Sequence, residues 1–363
     1  MIKGYSGQRQ ALRSILMLKG HSAGIGDLLR SSAAWRALRN QFPEARLHLW
    51  FLTKDPGAPS EQLIARHHLL ASFHVSDKRT RDRTARQRLL AEARKVAEET
   101  RPGLIVDFEP NGFRTSLLTW RLGRWTRAWT VGIAQAPLRR LFYRQPAPCV
   151  AIYARRHGMS LPLEYTERDF VALGPLDIER RGIPIELRET EEGKAFRAHV
   201  RDELGGHNGT PLLGLNIGCG TPDAVAKRPD LGLMADLVQE LQRRHGFALV
   251  LTGAPNEREI SRQFLARFQA TGPVLDLTGR TNLLELAGVI AGCRLFISSD
   301  SGPYHISVAL RVPTLAIFRF PNPVHYHRHE WVECRVAPDA QGVTALLEAA
   351  ERLLQFTQSP LPA

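Results

Sequence analysis

Cysteine is scarce in this chain of 363 residues, and long apolar runs are missing from it. The four cysteines, Cys149, Cys219, Cys293 and Cys334, form no C-x-x-C pair and stand beside no histidine at zinc-ligand spacing. Four thiols so placed, in a chain of this length, are expected to stay reduced in the cytoplasm. The opening residues MIKGYSGQRQALR hold no apolar segment and do not read as a secretory signal. Runs such as Ile15–Leu18 and Thr314–Phe318 are too short to span a bilayer, so membrane association is expected to be peripheral. No repeat of short period and no low-complexity tract is present.

Acidic residues are scarce in one half only. Residues 1–180 hold 30 Lys and Arg against 16 Asp and Glu, whereas residues 181–363 hold 19 against 20. A proteome-wide basic bias would spread over both halves. A basic N-terminal half implies an anionic partner: nucleic acid, a phosphorylated glycolipid or a membrane surface. Trp120, Trp125 and Trp129 lie among arginines of this half, where they fit core packing as well as membrane contact.

The remainder reads as α/β. A strand over 14–19 runs into the loop Gly20–Asp27, then a helical pattern through Leu28, Leu29, Ala33, Trp35, Ala37 and Leu38, then a strand over 47–52. A charged helix over 78–101 and a strand over 103–108 follow, and residues 111–144 give no clear pattern. Periodicity weakens around Gly174-Pro175 and Gly182–Pro184. Three segments are expected: a basic N-terminal domain over 1–180, a second domain over 181–340, and a helix with a tail over 341–363. Strands of the second domain are predicted at 212–217, 248–252, 274–277, 295–298 and 314–318, with helices near 231–245, 256–269 and 282–292. Tandem α/β domains that each open with a strand and a glycine loop suggest a cleft between them.

In open parallel sheets ligands gather at the carboxyl ends of strands. Asp27 follows the first strand, as a helix-capping carboxylate or as a general base. Gly24-Ile25-Gly26 is no dinucleotide fingerprint, because Leu29 stands where the third glycine belongs. The loop Gly218–Pro229 carries Thr221 and Lys227; it is not a P-loop, yet a hydroxyl and a cation in a glycine loop suit a diphosphate. Glu257 begins a helix after a strand, either bonding backbone amides or accepting ribose hydroxyls. Ser298–His305 is the sharpest element. Asp300 and Ser301 are good N-cap residues, Gly302 permits close approach, and His305 adds a donor beside a helix start. His325, His327 and His329 alternate and would suit a metal only on one face of a strand; a loop near the ligand or plain solvent exposure is the expectation.

Taken in order, these motifs resemble those of the bacterial heptosyltransferases of glycosyltransferase family nine, from about residue 14 to 320. The resemblance rests on Ile15–Lys19 with Gly24–Leu29, on Gly218 to Arg228, on Leu251–Glu257, and on Leu277–Leu283 leading to Asp300–His305. It implies a GT-B architecture, two Rossmann-like domains facing a central cleft, and a metal-free site with no tightly bound cofactor. It further implies inverting transfer of heptose from ADP-heptose to the inner core of lipopolysaccharide, an anionic glycolipid. Asp27 would be the base. Thr221 and Lys227 would hold the diphosphate, Glu257 the ribose, and Asp300, Ser301, Gly302 and His305 the donor. Transient contact with the cytoplasmic face of the inner membrane would follow, and no nucleic acid is expected. Two departures stand near the donor: Lys227-Arg228-Pro229 lacks the family's Trp, and Asn216-Ile217-Gly218 replaces His-Pro-Gly. They leave other nucleotide sugars open as donors. Rival readings are another GT-B enzyme, a nucleotide-sugar binder without turnover, and a nucleic-acid binder, the last without any recognition motif.

Overall fold

A computed structural model describes the chain except residues 1–11, 21–23, 81, 206–208, 220–225, 337–341 and 357–363. It divides into two compact units, Met1–Ile185 and Glu186–Ala363. The first unit runs β1 (Ser14–Lys19), α1 (Ile25–Leu29), α2 (Ser32–Gln41), β2 (Arg46–Thr53), α3 (Pro59–Ala65), β3 (Ser72–Asp77), α4 (Arg83–Thr100) and β4 (Leu104–Asp107). It continues with α5 (Phe113–Thr126), β5 (Trp129–Ile133), a 3-10 turn (Pro137–Phe142), β6 (Gln145–Ala147), α6 (Val150–Arg156) and α7 (Tyr165–Leu173). The second unit runs α8 (Glu191–Glu203), β7 (Leu212–Asn216), α9 (Leu231–His245), β8 (Ala248–Thr252), α10 (Arg258–Leu265) and β9 (Val274–Asp276). It closes with α11 (Leu283–Ala291), β10 (Cys293–Ser298), α12 (Gly302–Ala309), β11 (Thr314–Phe318), β12 (Val332–Val336) and α13 (Gly342–Leu354).

Each unit is a six-stranded parallel sheet. The orders are β3-β2-β1-β4-β5-β6 and β12-β11-β10-β7-β8-β9, both the 3-2-1-4-5-6 order of a Rossmann-like unit. Central strands are buried from end to end, as Leu212–Asn216 and Ala248–Thr252 show, because helices cover both faces. Leu213, Leu215, Leu249, Leu251, Phe264, Leu295 and Ile317 share one core with Leu346, Leu347 and Leu353 of α13. That last helix is therefore part of the second unit's core. Each such side chain contributes about 1.5–3 kcal/mol. No helix among the described residues is long and apolar enough to cross a membrane.

Helix starts follow local chemistry. Asp82, Thr190, Asp230 and Asn282 each accept a backbone N–H at the head of α4, α8, α9 and α11. The helix expected through Leu28 and Leu38 is broken. Ser32 donates its hydroxyl to the Leu29 carbonyl (2.6 Å), and Ser31 donates to Asp169 (2.5 Å). Serine hydroxyls compete with the helix ladder at that point. The charged helix starts at Arg83 rather than 78, because β3 occupies Ser72–Asp77. The unassigned stretch 111–144 holds α5, β5 and the 3-10 turn.

Two glycines set the crossing of α8 and α11. A Cβ on Gly288 of α11 would lie 2.1 Å from the Gly193 carbonyl oxygen of α8, so the two backbones touch. Gly288→Ala gains about 1 kcal/mol of helix propensity but must push one backbone off another. A net loss of about 1–3 kcal/mol is expected in urea unfolding. A stability equal to or above the parent's would contradict this packing.

Candidate functional site

In the 3-2-1-4-5-6 order the crossovers run one way from the first strand and the other way from the fourth. Loops at the carboxyl ends of those two neighbours part and leave a crevice. In the second unit these neighbours are β7 and β10, paired from Leu213↔Leu295 to Asn216↔Ser298.

The loops that leave β7 and β10 are laced together. Ser299 donates its amide to the Asn216 carbonyl (3.1 Å) and its hydroxyl to the Gly218 carbonyl (2.5 Å). Ser301 Oγ donates to Asn216 Oδ1 (3.0 Å), and Asn216 Nδ2 donates to the Thr252 carbonyl of β8 (3.1 Å). The Cys219 thiol donates to the Asp300 carbonyl (3.0 Å); burial pushes its pKa up to about 11, so it stays a thiol.

Asp300 is the hub. Its carboxylate accepts from His325 Nδ1 (2.7 Å) and Asn322 Nδ2 (2.9 Å), and Lys227 Nζ stands 3.2 Å from Oδ2. Burial alone would raise the Asp300 pKa. The His325 hydrogen bond and charge, the Asn322 amide and the Lys227 ammonium outweigh that and hold it at about 2. His305 is buried one turn on, with Nδ1 2.9 Å from His327 Nε2. The fold thus gathers Lys227, Asp300, Ser301, Gly302 and His305 at one crevice.

Several expectations change. Ser301 is the N-cap residue of α12, but its hydroxyl does not cap that helix, because Asn216 takes it. Pro303, which has no N–H, fills the first turn. The helix after this turn is Gly302–Ala309, and the helix expected over 256–269 is a 3-10 turn at Pro255–Glu257 followed by Arg258–Leu265. The three alternating histidines lie in a loop, as expected, and share no strand face. His325 ends a 3-10 turn facing Asp300, His327 is buried against His305, and His329 stacks on Trp331 (4.5 Å). Asp300, His305 and His325 offer ligand atoms within 4.8 Å of one another, the arrangement of a metal triad. The Lys227 ammonium on the same carboxylate would repel a dication there.

Glu257 is 3% exposed, and its Oε2 accepts the Ala254 amide (2.7 Å). A Cβ on Gly218 would fall 1.9 Å from Glu257 Oε1, so that carboxylate lies directly against the loop. Thr221 lies outside the described residues. In the first unit, Asp27 sits in the first turn of α1, half-buried, after β1. The end of β1 is anchored by Lys19, whose ammonium reaches both Asp169 oxygens (2.7 and 2.8 Å) in a buried pair. Sequence reasoning noted Asn216 only as a departure from the family's pattern and missed Asn322; Asn216 ends β7 and Asn322 follows β11, and that placement was the available signal.

Known proteins resemble this chain in sequence over part of its length and in fold over most of it. Residues 195–337 match the sequence model of glycosyltransferase family 9 (heptosyltransferase). Lipooligosaccharide heptosyltransferase 2 of Campylobacter jejuni is 30% identical over 123 residues, 34% of this chain and 38% of that protein. The chain thus spans well under half the length of that curated relative. Among solved structures, a family 9 glycosyl transferase from Veillonella parvula superposes with a TM-score of 0.69 at 20% identity, over 94% of this chain and 97% of that one. The Escherichia coli heptosyltransferase WaaC with ADP gives 0.66 at 17% identity, over 94% and 99%. The resemblance read from the motifs is borne out over residues 195–337, and the α/β fold of the GT-B class extends through both units.

Two outcomes test the site. Gly218→Ala is expected to cost about 1–3 kcal/mol by dislodging Glu257. In Glu257→Ala the obstacle is gone, so the double variant should be more stable than the sum of the single losses implies; strict additivity in urea unfolding would refute the contact. Asp300, held at about 2 against 3.8 when unfolded, contributes about 2 kcal/mol. That contribution is full above pH 4 and fades as pH falls from about 4 to 2. Asp300→Asn should flatten stability across that window, measured by chemical denaturation at each pH.

Proposed function

We propose that this chain is an inverting glycosyltransferase that moves a heptose from ADP-heptose to an anionic acceptor of the lipopolysaccharide inner core, at the cytoplasmic face of the inner membrane. One observation carries the reading: Lys227, Asp300, Ser301 and His305 meet at the switch point of the second sheet, inside the segment that matches the family. Two of the named relatives support the sugar, since they are heptosyltransferases, one of them solved with ADP.

In this reading the donor diphosphate lies at the start of α12, where backbone amides and Lys227 balance the charge that grows on the leaving group. Thr221 would add a hydroxyl. Glu257, buried against Gly218, would accept the ribose hydroxyls. His325 and Asn322 hold Asp300 in place, and His327 holds His305. Asp27 takes the proton of the acceptor hydroxyl as that oxygen attacks the anomeric carbon. The C–O bond to the diphosphate breaks on the opposite face, which inverts the centre. The departures at Asn216–Gly218 and Lys227–Pro229 favour one alternative, a GT-B transferase with another nucleotide sugar.

Calorimetry with ADP, UDP and GDP separates the two. Selective ADP binding that Glu257→Ala abolishes is the expected result; selectivity for UDP or GDP moves the donor away from ADP-heptose, and no binding removes the donor site. Asp27→Asn should bind ADP as the parent does and lose about a hundred- to ten-thousandfold in transfer rate. Transfer near the parental rate would overturn the base assignment.

A further inference from the structure

The stretch to which glycosyl transfer gives no role is also the most lopsided in the chain. Between residues 110 and 163 stand nine arginines and no Asp or Glu. Arg139 is buried, donating to Ser116 Oγ, to the carbonyls of Glu109 and Pro110, and to the Tyr143 hydroxyl. Most of the others stand on α5 and around the 3-10 turn.

Phe113, Leu117 and Trp120 recur at helical spacing and are exposed on one face of α5, with Arg114, Arg121 and Arg124 among them. Beside them the turn Pro137–Phe142 holds Leu138 and Leu141 at 65% and 75% exposure. The rings of Phe113 and Phe142 meet edge to face at 6.3 Å, so helix and turn form one surface. A cavity of about 540 Å³ opens between them, lined by Trp120, Leu141 and Phe142 and by Arg124, Arg127 and Arg144. Arg127 ends α5 at φ 60°, in the left-handed region that favours glycine.

Large apolar side chains clustered on a surface mark an interaction site. Here they alternate with arginines and no acid, which is the composition that lies in a lipid headgroup layer. We infer that α5 and the turn Pro137–Phe142 form a docking surface for an anionic bilayer, with the leucines and rings entering the acyl boundary and the cavity arginines taking a lipid phosphate. The inference gives a surface to the membrane contact proposed above and rests on that part of the reading; it stands on the first unit alone and does not depend on the identity of the sugar donor.

Co-sedimentation of the full chain with vesicles tests it. Binding to phosphatidylglycerol–phosphatidylcholine vesicles should exceed binding to phosphatidylcholine alone by about tenfold or more, and should weaken with salt. Leu138→Glu with Leu141→Glu should lower it by about tenfold, and so should Arg124→Gln with Arg127→Gly. All four positions are exposed or take the new residue without strain, so ADP binding and melting temperature should hold. Equal binding to both vesicle types, or variants that bind like the parent, would overturn the inference. So would a dimer, seen by light scattering, that Leu141→Glu splits while the parent ignores vesicles; the patch would then belong to a second copy.

Discussion

Parallel pairing of two neighbours in each sheet, β1 with β4 and β7 with β10, is the constraint from which the candidate chemistry follows. A parallel pair cannot be closed by a tight turn, so each strand needs a helical crossover. With crossovers diverging from these neighbours, the loops at their carboxyl ends cannot cover one another. Backbone groups and polar side chains collect where the sheet leaves a gap. Lys19 with Asp169 anchors one such end, and the Asp300 network anchors the other.

Much of this was legible beforehand. Buried central strands are continuous apolar runs, and a residue such as Asp300 directly after one is easily noticed. The edge strands were harder. β3 is half-buried with polar residues along it, β12 is only partly covered, and neither gives a run or a clean alternation. α5 was obscured because its exposed face carries Phe113, Leu117 and Trp120, so apolar residues point both inward and outward. Within the site, residue types were readable but partners were not. Asp300 meets Asn322 and His325 across 22 and 25 positions, and Ser301 meets Asn216 across 85. Such pairs exist only once the strands are ordered. Alternation of His325, His327 and His329 would give a shared face only on a strand; that segment is a 3-10 turn and irregular chain, so their side chains diverge.

Charge separates in the same way at two scales. The basic excess of the first half is partly consumed indoors, where Lys19 and Arg139 satisfy buried carboxylates and carbonyls. Buried ion pairs of this kind give little net stability but are costly to break, so they fix geometry more than they add strength. Arg30 is buried as well, and most of the remaining arginines stay outside, with Trp120 under Arg124 and Trp129 under Arg144.

The Lys227–Asp300 contact gives the crevice a resident counter-ion. Under the proposed donor reading, an arriving diphosphate would not meet a bare ammonium; it would exchange with a carboxylate already there. Such exchange would lower the affinity of every anion by the same reference cost and would leave discrimination to the groups that Asp300 cannot imitate. It would also give the lysine somewhere to return as a charged product departs, so a strongly ionic site need not hold its product for long.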